Sequence, residues 1–107
     1  MNDDRIKYII REISDRLKIN YVDFKGIYFY GSRVRGDSKS DSDYDLLFVF
    51  NRNVNWKFKE EIRHIIYGYE DKYDIVLDAK IISSSEIDMN RMPLIQDIKR
   101  YGIFYGI

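Results

Sequence analysis

The 107-residue sequence has no cysteine, no net charge and no long apolar run. Without cysteine, the chain can form neither a disulfide nor a thiolate metal site. Lysine and arginine together number 18, as do aspartate and glutamate, so net charge gives no general argument for nucleic-acid binding. No apolar stretch approaches the about 20 residues that span a membrane, and the N-terminus lacks the apolar core of a signal peptide. We therefore expect a cytoplasmic protein without direct contact to nucleic acid or membrane.

The length and composition favour one globular domain. Hydrophobic residues make up 45% of the chain and charged residues 34%, which is typical of a globular protein. A chain of this size can bury one modest core, but it is too short for a catalytic domain and a separate substrate domain. We expect residues 1–107 to form a single domain.

The sequence predicts four helices. Apolar residues recur on one stripe in the segments of about 3–18 and 54–70. Pro93 near the start and Gly102 after the end predict a last helix over 92–100. Ser83 and Glu86 have the spacing of a capping box, which predicts the start of a short helix between the last two of these segments.

Three segments are short and β-prone, and they predict strands at 26–30, 43–50 and 73–82. The tail at 103–105 is a candidate for a short edge strand. Together with the helices, this order predicts an α/β (α+β) fold in which a small mixed sheet is flanked by helices.

Asp43 and Asp45 are the residues that most directly indicate chemistry. Side chains two apart on a strand face the same way, so these two carboxylates would lie side by side. Their charges repel unless a cation neutralises them, and Mg²⁺ is the usual cation beside phosphates. An Asp-x-Asp pair alone is a weak signal, because it is also common at a solvated strand end.

The loop before these aspartates carries groups that suit phosphate. Gly31 permits close approach of the backbone, and the hydroxyl of Ser32 can donate to a phosphate oxygen. Arg33 and Arg35 follow, and a guanidinium pairs well with phosphate, although both could instead be exposed loop charges. A phosphate loop next to a metal-binding strand is suited to phosphoryl or nucleotidyl transfer.

These residues resemble a known signature. Gly31-Ser32-Arg33-Val34-Arg35-Gly36, followed by Ser42-Asp43-Tyr44-Asp45-Leu46, is similar to the motif of the minimal nucleotidyltransferase family of the DNA polymerase beta superfamily. Val34 stands where alanine is common in that family, a change that stays small and apolar. The resemblance implies the nucleotidyltransferase fold, ATP as the nucleotide donor, and one or two Mg²⁺ ions held by Asp43 and Asp45.

The resemblance also implies a third carboxylate on a later strand. Asp74 and Asp78 both lie between apolar residues, and the predicted strand would place them roughly 13 Å apart, so only one can join the site. In similar sequences this aspartate precedes a Ser/Thr helix start by five residues, which fits Asp78 and Ser83. We therefore expect Asp78 to be the third metal ligand and to accept the proton, while Gly31 and Ser32 hold phosphates and Arg33 contacts the nucleotide.

The acceptor is not specified by any single residue. Minimal members of the family are typically paired with a HEPN-domain toxin ribonuclease, and this implies an antitoxin that transfers AMP to a tyrosine of the toxin. A small-molecule hydroxyl is an alternative that would need a partner subunit or homodimer to complete the pocket. A third possibility is an antitoxin that masks its toxin by contact alone.

Overall fold

A computed structural model describes residues 4–35, 43–89 and 92–106 of the chain. The elements in chain order are α1 (Asp4–Asn20), β1 (Phe24–Tyr30), α2 (Ser32–Arg35), β2 (Tyr44–Phe50), α3 (Trp56–Tyr73), β3 (Leu77–Ser83), α4 (Ser84–Met89), α5 (Pro93–Tyr101) and β4 (Ile103–Gly106). This is the mixed α/β arrangement that the sequence predicted. None of the described helices is both long enough and apolar enough to cross a membrane.

The four strands form one mixed sheet in the order β3-β2-β1-β4. Strand β1 pairs antiparallel with both β2 and β4, whereas β2 and β3 run parallel. Parallel neighbours need a crossover connection, and α3 supplies it. The candidate edge strand at the tail is present as β4.

The third strand is shorter than predicted, because the helix before it is longer. Helix α3 continues to Tyr73 and ends at Asp74, which has a left-handed backbone (φ 52°) and donates its N–H to the carbonyl of Glu70. The Glu70 side chain also accepts a hydrogen bond from the N–H of Leu77, at 2.8 Å. The prediction that Asp74 lies on the strand was therefore wrong.

Helices cover the sheet on two faces and define two cores. The larger core is formed by the apolar stripes of α1 and α3 against one face, where it includes Leu46, Phe48 and Phe50 of β2. The smaller core lies on the other face and joins Leu47 and Val49 to three buried isoleucines of α4 and α5, namely Ile87, Ile95 and Ile98. Alternation along β2 thus sends neighbouring residues to different cores.

The helix after β3 begins as the capping box predicted. The hydroxyl of Ser83 accepts a hydrogen bond from the backbone N–H of Glu86 at 3.4 Å, which satisfies one of the free donors at a helix start. Because Ser83 ends β3, the cap turns the chain sharply from the sheet into α4.

Candidate active site

Two aspartates lie side by side where the neighbouring parallel strands β2 and β3 begin. Asp45 on β2 is in register with Asp78 on the parallel strand β3, and on its other side it is in register with Tyr30 on β1. Residues in register point to the same face of a sheet, so the side chains of all three project together. The smaller core lies further along this face.

The backbone of Gly31 lies close to the carboxylate of Asp45. Its backbone angle φ is +90°, which residues with a side chain rarely adopt. A Cβ atom built on Gly31 would lie 2.2 Å from Oδ2 of Asp45. Only glycine lets the backbone at the end of β1 come this close to the carboxylate. The sequence predicted close contact between Gly31 and a phosphate, and the described contact is with Asp45 itself.

The environment of Asp45 disfavours its charged form. Burial raises the pKa of the Asp45 carboxyl above its ordinary value of 3.8, and the adjacent carboxylate of Asp78 raises it further through a hydrogen bond and its charge. Lys80 partly offsets this effect, and the charge of Asp43 adds to it. A bound cation would relieve the same repulsion.

Asp43 and Lys80 lie at the edges of this pair. Asp43 is exposed and directly precedes β2. Lys80 follows Asp78 by two residues on β3, so it projects on the same face, and its Nζ lies 3.7 Å from Oδ2 of Asp78. The site therefore combines three carboxylates with one ammonium group.

The carboxylates fit Mg²⁺ bound together with a nucleotide. Within residues 4–35, 43–89 and 92–106, no group of three or more acidic or histidine side chains converges closely enough to hold a metal ion by itself. Mg²⁺ beside phosphates typically uses only one or two carboxylates, and it takes its remaining ligands from the substrate and from water. The paired oxygens of Asp45 and Asp78 match that requirement.

The structure does not bring Arg33 to the carboxylates. Its side chain is 7% exposed, and its guanidinium carbon lies 4.2 Å from the centre of the Tyr44 ring. Tyr44 precedes Asp45 on β2, so it projects on the opposite face of the sheet. The backbone of Ser32 begins α2, but its side chain lies outside the described part of the structure, as does that of Arg35.

Two residues at this site were missed from the sequence. Lys80 could have been found from the spacing Asp78-x-Lys80, because alternation places both on one face. Tyr30 could not, since its position beside Asp45 depends on the register between β1 and β2. Its ring is 8% exposed and its buried hydroxyl has no hydrogen bond of standard geometry among the described residues.

Comparison with known proteins gives one family and several relatives. Residues 6–105 match the nucleotidyltransferase domain. A Methanocaldococcus jannaschii protein named "putative protein adenylyltransferase" is 31% identical over 98 residues, which cover 92% of each chain. The family match thus extends from α1 into β4.

Solved structures share the fold at lower identity. A putative nucleotidyltransferase from Sulfolobus solfataricus has a TM-score of 0.66 and 20% identity over 96% of this chain and 81% of that chain. A toxin–antitoxin structure with AMP-PNP has a TM-score of 0.59 and 18% identity over 100% of this chain and 75% of that chain. A mutant of the toxin–antitoxin MntA-HpeT has a TM-score of 0.60 and 15% identity with the same coverage.

Proposed function

The chain belongs to the nucleotidyltransferase domain family, and from this premise we propose that it is an antitoxin that transfers AMP from ATP to a tyrosine of a HEPN-domain toxin. The name of the Methanocaldococcus jannaschii relative supports a protein as the acceptor. The toxin–antitoxin structures support a toxin as that protein, and the AMP-PNP in one of them supports ATP as the donor. A donor of this kind and the composition of the chain favour the cytoplasm.

The observation that carries the proposal is the register of Asp45 with Asp78. Nucleotidyl transfer needs negative oxygens that hold cations beside a triphosphate, since neutralising charge and aligning the reactants do most of the work. Strand pairing fixes the two carboxylates next to each other, and the close backbone of Gly31 limits where Asp45 can move. This arrangement supports a site that would be organised before a ligand binds.

Each residue has a defined task in the proposed reaction. The acceptor hydroxyl attacks the α-phosphorus, the bond from that phosphorus to the bridging oxygen breaks, and pyrophosphate leaves. Asp43, Asp45 and Asp78 would hold Mg²⁺, which supplies charge neutralisation at the phosphates when it is bound. Asp78, whose side chain is 49% exposed, would accept the proton of the acceptor. Gly31 and Ser32 would contribute to binding the nucleotide, and Arg33 would do so only if its guanidinium left the ring of Tyr44 on the opposite face.

The test incubates the chain with ATP, Mg²⁺ and the product of the neighbouring gene as the candidate toxin, and then measures the intact mass of that product. We expect the toxin to gain one or more AMP units, and Asp45→Asn to lower the rate at least about a hundredfold, because a charged group at the reacting phosphate is lost. Peptide mapping should place the AMP on a tyrosine.

Asp74 and Asp78 provide a matched pair of variants for the same assay. Asp78→Asn should abolish transfer, whereas Asp74→Asn should preserve it. Asparagine also tolerates the left-handed backbone at Asp74, so the control should fold normally. An unmodified toxin that still binds the chain tightly would contradict the proposal and favour masking by contact. Modification of a small hydroxyl compound instead would favour the small-molecule alternative.

A further inference from the structure

Lys80 is a charged residue of the site. The roles proposed above for the three aspartates leave this lysine without a function. It is the only basic residue in β2 or β3, and it lies on the face that carries Asp45 and Asp78. Its position in register with Leu47 sets it one step deeper into the sheet than the two carboxylates. Lys80 therefore lies beside the carboxylates on the side of the smaller core, to which Leu47 belongs.

The contacts of Lys80 hold it in place without fully occupying its ammonium group. The separation of 3.7 Å between Nζ and the Asp78 carboxylate is an ion pair but is longer than a hydrogen bond. The buried ring of Tyr30 lies alongside, with Nζ 6.0 Å from the ring centre. The Lys80 side chain is 43% exposed, so a ligand above the carboxylates can reach it.

An ion pair of this kind adds little to stability. Pairs between partly exposed groups contribute about 0–1 kcal/mol, because water screens the attraction. A lysine that only balanced Asp78 would also compete with any cation that the carboxylates bind. An anionic ligand that binds together with the cation, in addition to the carboxylates, accounts better for the position of Lys80.

We propose that Lys80 is a substrate-binding residue whose ammonium leaves Asp78 and contacts the phosphate oxygens of the bound nucleoside triphosphate. This inference rests on the proposed function, since it requires a triphosphate above Asp45 and Asp78. An ammonium is a compact point charge that suits phosphate. Asp78 would then pair with the cation and Lys80 with the triphosphate, so one ion pair would be exchanged for two.

The experiment compares two binding constants in the absence of turnover. Isothermal titration would measure the affinity for AMP-PNP with Mg²⁺, and electron paramagnetic resonance would measure Mn²⁺ binding without nucleotide. Lys80→Met should weaken AMP-PNP binding about ten- to a hundredfold, the loss expected for a hydrogen bond between charged groups. The same variant should bind Mn²⁺ alone as tightly as the natural chain or more tightly, because a competing cation has gone.

Two further variants make the result specific to this lysine. Lys72→Met removes the same charge from a remote ion pair, in which Nζ of Lys72 donates to Glu12 at 2.9 Å, and should leave both constants unchanged. Lys80→Arg keeps the charge and should retain most of the affinity for AMP-PNP. Circular dichroism would confirm that each variant is folded before it is titrated.

The remaining outcomes overturn the inference in distinguishable ways. Unchanged AMP-PNP affinity in Lys80→Met would show that the lysine does not contact the nucleotide. A parallel loss of AMP-PNP and Mn²⁺ binding would show that it acts only by arranging the carboxylates. Failure of the natural chain to bind AMP-PNP at all would overturn the proposed function itself.

Discussion

The two faces of the sheet differ in how completely helices cover them. On one face, α1 and α3 bury an apolar layer that includes Leu46 and Phe48, and both side chains are fully buried. On the other face, the shorter helices α4 and α5 cover Leu47 and Val49 but leave the strand ends open at Asp45 and Asp78. The first face therefore has the more complete apolar cover, and the second leaves the proposed site accessible.

Leu46 and Leu47 provide the most direct test of this difference, because they are neighbours of the same type on opposite faces. We expect Leu46→Ala to lower the free energy of unfolding by about 4–5 kcal/mol and Leu47→Ala by about 2–3 kcal/mol. The larger cavity should persist under the long helices, whereas short helices can relax into the smaller core. Urea unfolding of both variants would measure the costs, and equal values would remove the distinction between the faces.

Gly31→Ala should have the next largest effect, and it should fall mainly on activity. The left-handed backbone costs about 1–2 kcal/mol for a side-chain-bearing residue, and the new Cβ would displace the Asp45 carboxylate that lies 2.2 Å away. A misplacement of about 1 Å can lower a rate about a hundredfold. Urea unfolding and the toxin mass assay would separate the two effects. Normal transfer by Gly31→Ala would show that the close approach is dispensable.

Sequence patterns predicted the covered face well. The spacing of Ile6, Ile9, Ile10 and Ile13 identified α1, because large apolar residues three and four apart share one face only in a helix. The end of α3 was missed because it lacks such a pattern. Apolar residues stand on both sides of Asp74, so hydrophobicity does not mark the boundary, where a backbone cap and the side chain of Glu70 end the helix.

The pKa of Asp45 is raised and that of Asp23 is lowered. The contributions of these two aspartates to stability should therefore depend on pH with opposite sign. The pKa of Asp45 is raised, so the folded state holds its proton longer than the unfolded state does, and stability falls as pH rises above about 3.8. Without divalent cations, Asp45→Asn should avoid that loss. Its unfolding free energy should increasingly exceed that of the natural chain from acidic to neutral pH.

Asp23 at the other end of β1 is the matched control. Hydrogen bonds from Arg52, including one of 3.1 Å from Nη2 to Oδ1, lower the pKa of the Asp23 carboxyl despite partial burial. Its ion pair is therefore lost as pH falls below about 3.8, and Asp23→Asn should destabilise at neutral pH with a difference that fades in acid. Chemical unfolding at several pH values would compare both variants. If the stability of both variants, relative to the natural chain, changed with pH in the same direction, the opposite pKa shifts of Asp45 and Asp23 would be contradicted.

The candidate site could be predicted only in part. Asp43 and Asp45 were legible because residues two apart on a strand share a face, and Asp78 was favoured over Asp74 by a motif. The partnership of Asp45 with Asp78 and Tyr30 depends on register across three strands, which no local pattern contains. The position of Arg33 against Tyr44 also depends on how α2 folds back over the sheet.

The smallest expected effect concerns Gly68, which lies within α3 over the covered face. A Cβ added there meets no atom within 4 Å, so alanine costs no packing and removes the conformational freedom that glycine has when unfolded. Gly68→Ala should raise the unfolding free energy by about 0.5–1 kcal/mol and leave transfer unchanged, with thermal unfolding as the measurement. Because the same substitution at Gly31 should destabilise and inactivate the chain, the pair separates a glycine that the site requires from one that the helix merely tolerates. A loss of stability in Gly68→Ala would mean that α3 depends on flexibility at this point.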